Sequence, residues 1–234
     1  MIGVFDYTVI LTYLSFISAV IGIFVSLNGN GHPFMGIFFL MFCGLCDAFD
    51  GRVARMKKDR TQFEKDYGVQ IDSLSDLVAF GVLPACIGDA ALRIYPKLED
   101  VPHVISHRCL GSWLSLAVNG IMVLYILAAL IRLAFFNATE EERTMRMKNG
   151  EKVFFYGLPV TSAALIFPFV MLLQYVLVID LTPVYFGVMF IVAILFVTKF
   201  RIPKPGLKGV LIMVGIGIAE TIALLVYHTN IMIH

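Results

Sequence analysis

The feature that most restricts this chain is a succession of apolar stretches, each close to the length of helix that crosses a bilayer. A hydrocarbon core takes about 20 residues of helix, because a backbone in lipid must satisfy its own hydrogen bonds. Seven such stretches are predicted: Tyr7–Leu27, Pro33–Arg52, Ile71–Leu92, Leu114–Asn137, Leu158–Val178, Pro183–Lys199 and Val210–His228. Turn-forming residues separate them: Asn28-Gly29-Asn30-Gly31, Pro102, Gly150, Pro183, and Pro203 with Pro205. Composition agrees, since 59% of residues are hydrophobic and only 15% charged, against about 25% charged in soluble domains. A soluble fold of this size could not hide so much apolar surface from water. The expected fold class is therefore an all-α polytopic membrane helix bundle. No linker, repeat or low-complexity tract interrupts it, so residues 1–234 are expected to form a single domain. No cleavable signal peptide is expected, because Met1 precedes no basic stretch and the first apolar run is long enough to span and stay.

The basic residues predict the orientation. Arg52, Arg55, Lys57, Lys58, Arg60 and Lys65 fall in one loop; Arg143, Arg146, Lys148 and Lys152 in a second; Lys199, Arg201, Lys204 and Lys208 in a third. Arg93, Lys97 and Arg108 lie on the other side, and Arg132 lies within a span. Fourteen against three places the first group in the cytoplasm, with the N-terminus. Most of these cations serve topology and attraction to anionic headgroups. The net charge of +1 carries no sign of a nucleic-acid partner, and none is expected. Cys43 and Cys46 form a C-x-x-C inside an apolar run; with no second ligand pair, they and Cys86 and Cys109 are expected to be small hydrophobes.

Carboxylates inside spans are rare unless they work. Four aspartates cluster at the cytoplasmic ends of the second and third spans: Asp47 and Asp50 at i, i+3, and Asp72 and Asp76 at i, i+4. Each spacing puts its pair on one helix face. Four facing carboxylates at the edge of a low-dielectric slab repel strongly, and either protonation or a divalent cation resolves this. Oxygen ligands favour Mg²⁺, with Mn²⁺ or Ca²⁺ possible. Small residues adjoin them: Gly51 follows Asp50, Ala54 lies a turn along, and Gly68 lies a turn before Asp72. Arg55 adds a planar donor suited to phosphate. Taken singly, Gly51 could be a helix-packing contact and Arg55 a topology residue; packing does not explain four aspartates together.

The string Asp47-x-x-Asp50-Gly51-x-x-Ala54-Arg55, followed by Gly68-x-x-x-Asp72-x-x-x-Asp76, resembles the signature of CDP-alcohol phosphotransferases. Twelve residues, Met56–Tyr67, separate Arg55 from Gly68, more than the family's usual eight or nine. They are expected to lengthen the loop or add a helical turn and to leave the aspartates in register. The resemblance implies a six-helix core, often dimeric, so the partners expected include a second copy of the chain; the seventh span would be an addition. It implies that Asp47, Asp50 and Asp72 bind Mg²⁺ or Mn²⁺. Asp76 would be the catalytic base and would also count among the metal ligands, at a second ion. Gly51, Ala54, Arg55 and Gly68 would line the site for the CDP-lipid.

Longer stretches narrow the acceptor. Asp72–Ala85, Arg132-Leu133-Ala134-Phe135-Phe136-Asn137 and Tyr156-Gly157-Leu158-Pro159 are similar to the corresponding stretches of the family's phosphatidylserine synthases. That implies CDP-diacylglycerol and L-serine as substrates at a membrane surface, and Arg132 as a contact for the serine carboxylate or a phosphate. Arg132 could equally snorkel to the interface. Another acceptor, such as glycerol phosphate, inositol phosphate or choline, is the alternative within the family. A divalent-cation transporter is the alternative outside it, but would be expected to place carboxylates near the midplane. Glu220, within the seventh stretch, suits that reading better than the aspartates do.

Overall fold

A computed structural model describes residues 3–29, 31–94, 113–140, 142, 145–146, 149, 154–177, 180–203 and 215–223. Its helices are α1 (Ile10–Leu27), α2 (Pro33–Met56), α3 (Gln62–Asp76), α4 (Leu83–Ile94), α5 (Trp113–Ala138), α6 (Ala163–Leu177), α7 (Thr182–Val197) and α8 (residues 215–223). A π-helical segment, Leu77–Val82, joins α3 to α4, so Gln62–Arg93 runs as one 32-residue helix. That helix, α1, α2 and α5 are long and apolar enough to cross a membrane, and α6 and α7 are shorter apolar helices. The chain is a polytopic helical membrane protein. The predicted loops holding Lys97, Pro102, Arg108 and Cys109, and the residues Arg143, Lys148, Gly150, Lys152, Lys204, Pro205 and Lys208, lie outside the described residues. So do both ends of the predicted seventh span, of which α8 is the described part.

Two helix boundaries differ from the apolar pattern in a way that matters for the site. α2 continues to Met56, and α3 begins at Gln62, nine residues before the predicted third span. The reason is a capping box that periodicity does not reveal. Glu64 N–H donates to Thr61 Oγ1 at 3.2 Å, and Thr61 N–H donates to Glu64 Oε2 at 2.8 Å. At 1.5 Å per residue the combined helix is about 48 Å long, so its polar N-terminal turns, with Gly68, stand clear of a hydrocarbon slab about 30 Å thick.

The first two helices pack closely because α1 turns small residues inward: Thr12, Ser15, Ser18, Ala19, Gly22 and Ser26. A Cβ on Gly22 would fall 2.7 Å from Phe39 Cβ. The turn back into α2 passes Gly31 at φ +94°, where a Cβ would also meet the Ala90 carbonyl at 2.8 Å, so only glycine fits. Pro33 then opens α2 at the position where no N–H is needed. Cys43 and Cys46 are buried free thiols on α2.

An aromatic cluster unites α5, α6 and α7: the Tyr125 ring lies 5.5 Å from that of Phe167 and 5.6 Å from that of Phe196, and Phe167 lies 4.9 Å from Tyr185. The same tyrosines repair the π-helical segment. Pro84 has no N–H to give to the Phe80 carbonyl one turn back. The buried Tyr125 hydroxyl donates to that carbonyl at 2.5 Å, and the Tyr185 hydroxyl donates to Pro84 O at 2.8 Å. Pro84 thus removes a donor from the helix just beyond Asp76; Tyr125 of α5 satisfies the Phe80 carbonyl, and Tyr185 of α7 adds a bond to the Pro84 carbonyl.

One addition to the helical reading is a short antiparallel ribbon, Phe154–Tyr156 with Arg201–Pro203, in which Phe155 faces Ile202. It joins the end of the second basic segment to the start of the third. α8 packs on α2 through Thr221, whose hydroxyl lies 3.7 Å from Met41 sulfur.

Candidate functional site

α2 and α3 bring Asp47, Asp50 and Asp72 together. Each offers a carboxylate oxygen, and the three oxygens lie within 4.8 Å of one another. All three residues are half-buried. Gln62–Tyr67, the second half of the α2–α3 stretch, form the capped first turns of α3, and the three aspartates still come together. Asp76 is buried, one turn deeper along α3, and does not belong to the trio.

The donor set suits a hard divalent cation. Oxygen ligands surround Mg²⁺ at about 2.1 Å and Ca²⁺ at about 2.4 Å, so opposite oxygens stand about 4.2–4.8 Å apart. The trio's oxygens fall within the larger of these separations. It can hold Mg²⁺, Mn²⁺ or Ca²⁺ by ligand chemistry alone.

The sequence reading missed the support from α1. Thr12 Oγ1 donates to Asp50 Oδ2 at 3.4 Å, and Ser75 Oγ, beside Asp76, donates to the Thr12 carbonyl at 3.2 Å. One threonine thus connects α1 to the carboxylates of α2 and to the backbone turn that carries Asp76. Asn137, at the end of α5, holds the neighbouring turn: its Nδ2 and Oδ1 lie 2.8 and 3.0 Å from the Ser73 hydroxyl. Nothing in a single sequence marks Thr12, which is one small polar residue in an apolar run. Asn137 lies in a stretch already singled out, without a role.

The small residues make room. A Cβ built on Gly51 meets nothing nearer than Arg55 Nη2 at 3.8 Å, so the face of α2 next to Asp50 is open and rimmed by Arg55. Ala54 is half-buried and Arg55 exposed. Gly68 is crowded instead by Arg60, whose Nη2 would stand 2.7 Å from a Cβ there. Arg132 does not snorkel. It is buried, its Nε donates to the Leu158 carbonyl at 3.2 Å, and its guanidinium lies 5.8 Å from the Phe136 ring. It therefore pins α5 to the chain entering α6. Glu220 on α8 is buried, with Oε2 lacking a partner among the described residues, and is not part of the trio.

A salt-bridged strap lies beside the site. Lys57 Nζ contacts Asp6 Oδ2 at 2.6 Å and Glu64 Oε1 at 2.7 Å, joining the segment before α1 to the start of α3. The ammonium, together with the Thr8 hydroxyl and N–H, holds the Asp6 carboxyl down to about 2. The two carboxylates push Lys57 above the usual lysine value. Tyr13 and Tyr67 hydroxyls meet at 2.9 Å just below this strap.

The family model for CDP-alcohol phosphatidyltransferases matches residues 7–226. The chain belongs to that family. The match includes every helix that carries a site residue. Among named relatives, a Saccharomyces cerevisiae CDP-diacylglycerol–serine O-phosphatidyltransferase is 32% identical over 164 residues, 69% of this chain and 51% of the relative. A Helicobacter pylori protein of the same name is 26% identical over 175 residues, 71% of this chain and 62% of the relative. A Mycobacterium bovis protein of that name is 31% identical over 121 residues, 51% of this chain and 33% of the relative. The alignments thus span between a third and about three fifths of these relatives. Among the described residues, the trio on α2 and α3 is a group that could hold a divalent metal.

Proposed function

We propose that the chain is one catalytic domain that transfers a phosphatidyl group from CDP-diacylglycerol to the hydroxyl of L-serine, releasing CMP and forming phosphatidylserine. The observation that carries this reading is the meeting of three carboxylates from two helices, beside an open glycine face rimmed by an arginine. The names of the relatives support serine as the acceptor. The chemistry balances simply: a bond forms from the serine oxygen to the lipid-bearing phosphorus, the bond from that phosphorus to CMP breaks, and the serine proton leaves.

Asp76 is the base for that proton. Its burial one turn below the trio suits a carboxylate that works away from bulk water. Asp47, Asp50 and Asp72 hold Mg²⁺ or Mn²⁺, which supplies charge neutralisation to the diphosphate when bound. Gly51 and Ala54 let the nucleotide approach the α2 backbone, Gly68 borders the site on α3, and Arg55 at the rim attracts the diphosphate. Thr12 and Asn137 hold the two carboxylate-bearing turns still, which counts in a reaction whose catalysis is largely positioning and electrostatics. Arg132 fixes the end of α5 next to this site and is the residue we assign to the serine carboxylate or a lipid phosphate. The charge of the basic loops supports a site at the cytoplasmic face of the cell membrane, and we take the enzyme to work as a homodimer.

The test is direct. Purified protein incubated with CDP-diacylglycerol, serine and Mn²⁺ or Mg²⁺ should release CMP and a serine phospholipid in equal amounts. Asp76→Asn should abolish turnover and leave CDP-lipid binding nearly unchanged; a loss of binding that matches the loss of rate would remove Asp76 as the base. Labelled glycerol phosphate, inositol phosphate and choline should give no product. Metal uptake into vesicles without CMP release would instead favour transport.

A further inference from the structure

We propose that Arg60, which the family's signature does not include, is a binding residue for the diphosphate of the CDP-lipid. It lies in the stretch between Arg55 and Gly68 that is longer than usual for the family. The structure folds that stretch so that the Arg60 guanidinium lies against the Gly68 backbone: a Cβ there would be 2.7 Å from Nη2 and 3.9 Å from Cζ. Gly68 and Asp72 occupy one face of α3, four residues and about 6 Å apart along the axis. The guanidinium therefore stands about one helical turn from the carboxylate trio, where a metal-bound diphosphate would extend.

Its charge is not spent locally. Nη2 donates to the Glu64 carbonyl at 2.9 Å, which anchors one nitrogen. Nε is buried without a partner among the described residues. The nearby acids are committed elsewhere: Glu64 to Lys57 and the Thr61 N–H, and Asp66 to Gln62. Among the described residues Arg60 makes no ion pair. A planar guanidinium anchored through one Nη2 N–H keeps further N–H groups that can donate to a phosphate edge. A purely structural arginine would need only the Glu64 bond, and the buried Nε would then carry an unrecovered desolvation cost.

The inference rests on the CDP-lipid reading. The experiment is calorimetric titration of detergent-purified protein, in Mn²⁺, with CDP and separately with cytidine, which lacks phosphates. Arg60→Gln should weaken CDP binding about tenfold, as expected for loss of a charged hydrogen bond, and leave cytidine binding unchanged. In turnover assays KM for CDP-diacylglycerol should rise while kcat holds within about twofold. If Arg60→Gln does not fold, Arg60→Lys is read in its place; it keeps the charge without the fork and should weaken CDP binding about threefold. A CDP affinity unchanged in the folded variant, or an equal loss for CDP and cytidine, overturns the assignment while leaving the enzymatic reading intact. Failure of the wild-type protein to bind CDP would overturn both.

Discussion

Replacement of Asp50 by Asn probes the carboxylate trio most sharply, because the three oxygens lie within 4.8 Å of one another. Two unit charges at that distance repel by about 3.5 kcal/mol at an effective dielectric near 20. Asp50 takes part in two of the three pairs, so where all three are ionised neutralising it relieves on the order of 7 kcal/mol before water and salt screen a half-buried site. Asparagine is nearly the same shape and keeps an oxygen for the Thr12 hydroxyl. In the presence of a chelator, Asp50→Asn should therefore unfold at a higher temperature than wild type. Each net kcal/mol corresponds to about 2–4 °C for a chain of this size. Addition of Mn²⁺ or Mg²⁺ should raise the wild-type midpoint. The variant should respond much less and need at least about tenfold more metal, or about 1.4 kcal/mol. Thermal unfolding can be followed with a thiol-reactive dye, since Cys43 and Cys46 are buried and become reactive only on opening. A variant that is less stable than wild type without metal, yet shows the full metal response, would refute the shared site.

Three further outcomes are expected. Thr12→Val should raise the Mn²⁺ concentration for half-maximal activity about two- to fivefold, as fits a long hydrogen bond, and Thr12→Ser should restore it; an unchanged metal titration removes Thr12 from the site. Tyr125→Phe should cost about 1–2 kcal/mol of stability by stranding the Phe80 carbonyl in the bundle interior, read as a fall of several degrees in the unfolding midpoint, and an unaltered midpoint would show that another group satisfies that carbonyl. The Asp6–Lys57 bridge should show a defined pH window. Asp6 lies below its ordinary value of 3.8, at about 2, so its contribution is complete above pH 4 and lost as pH falls through about 2. Lys57 is shifted upward, so its contribution is complete below the ordinary lysine value of 10.5 and is lost as pH rises beyond it. The stability difference between wild type and Asp6→Asn should be flat between pH 5 and 9 and vanish near pH 2; a difference that disappears at pH 4–5 would rule out the bridge.

Much of this molecule is legible from residue order alone, because a bilayer imposes its constraint one segment at a time. Long apolar runs must become helices, and the loops that flank them sort by charge. The spacing of Asp47 with Asp50, and of Asp72 with Asp76, places each pair on one face before any tertiary contact forms. What residue order could not supply is the distance between segments. The trio closes only because α2 and α3 lie side by side, and it excludes Asp76 because that residue sits one turn farther along. Thr12, Asn137 and Arg60 acquire roles only through neighbours 38, 64 and 8 residues away. At Pro84 a tyrosine from α5 donates to the Phe80 carbonyl that the proline cannot serve, and one from α7 donates to the Pro84 carbonyl itself. Local periodicity specifies which face a side chain occupies, whereas which face meets another follows from packing small residues against one another, and that is a property of the whole bundle.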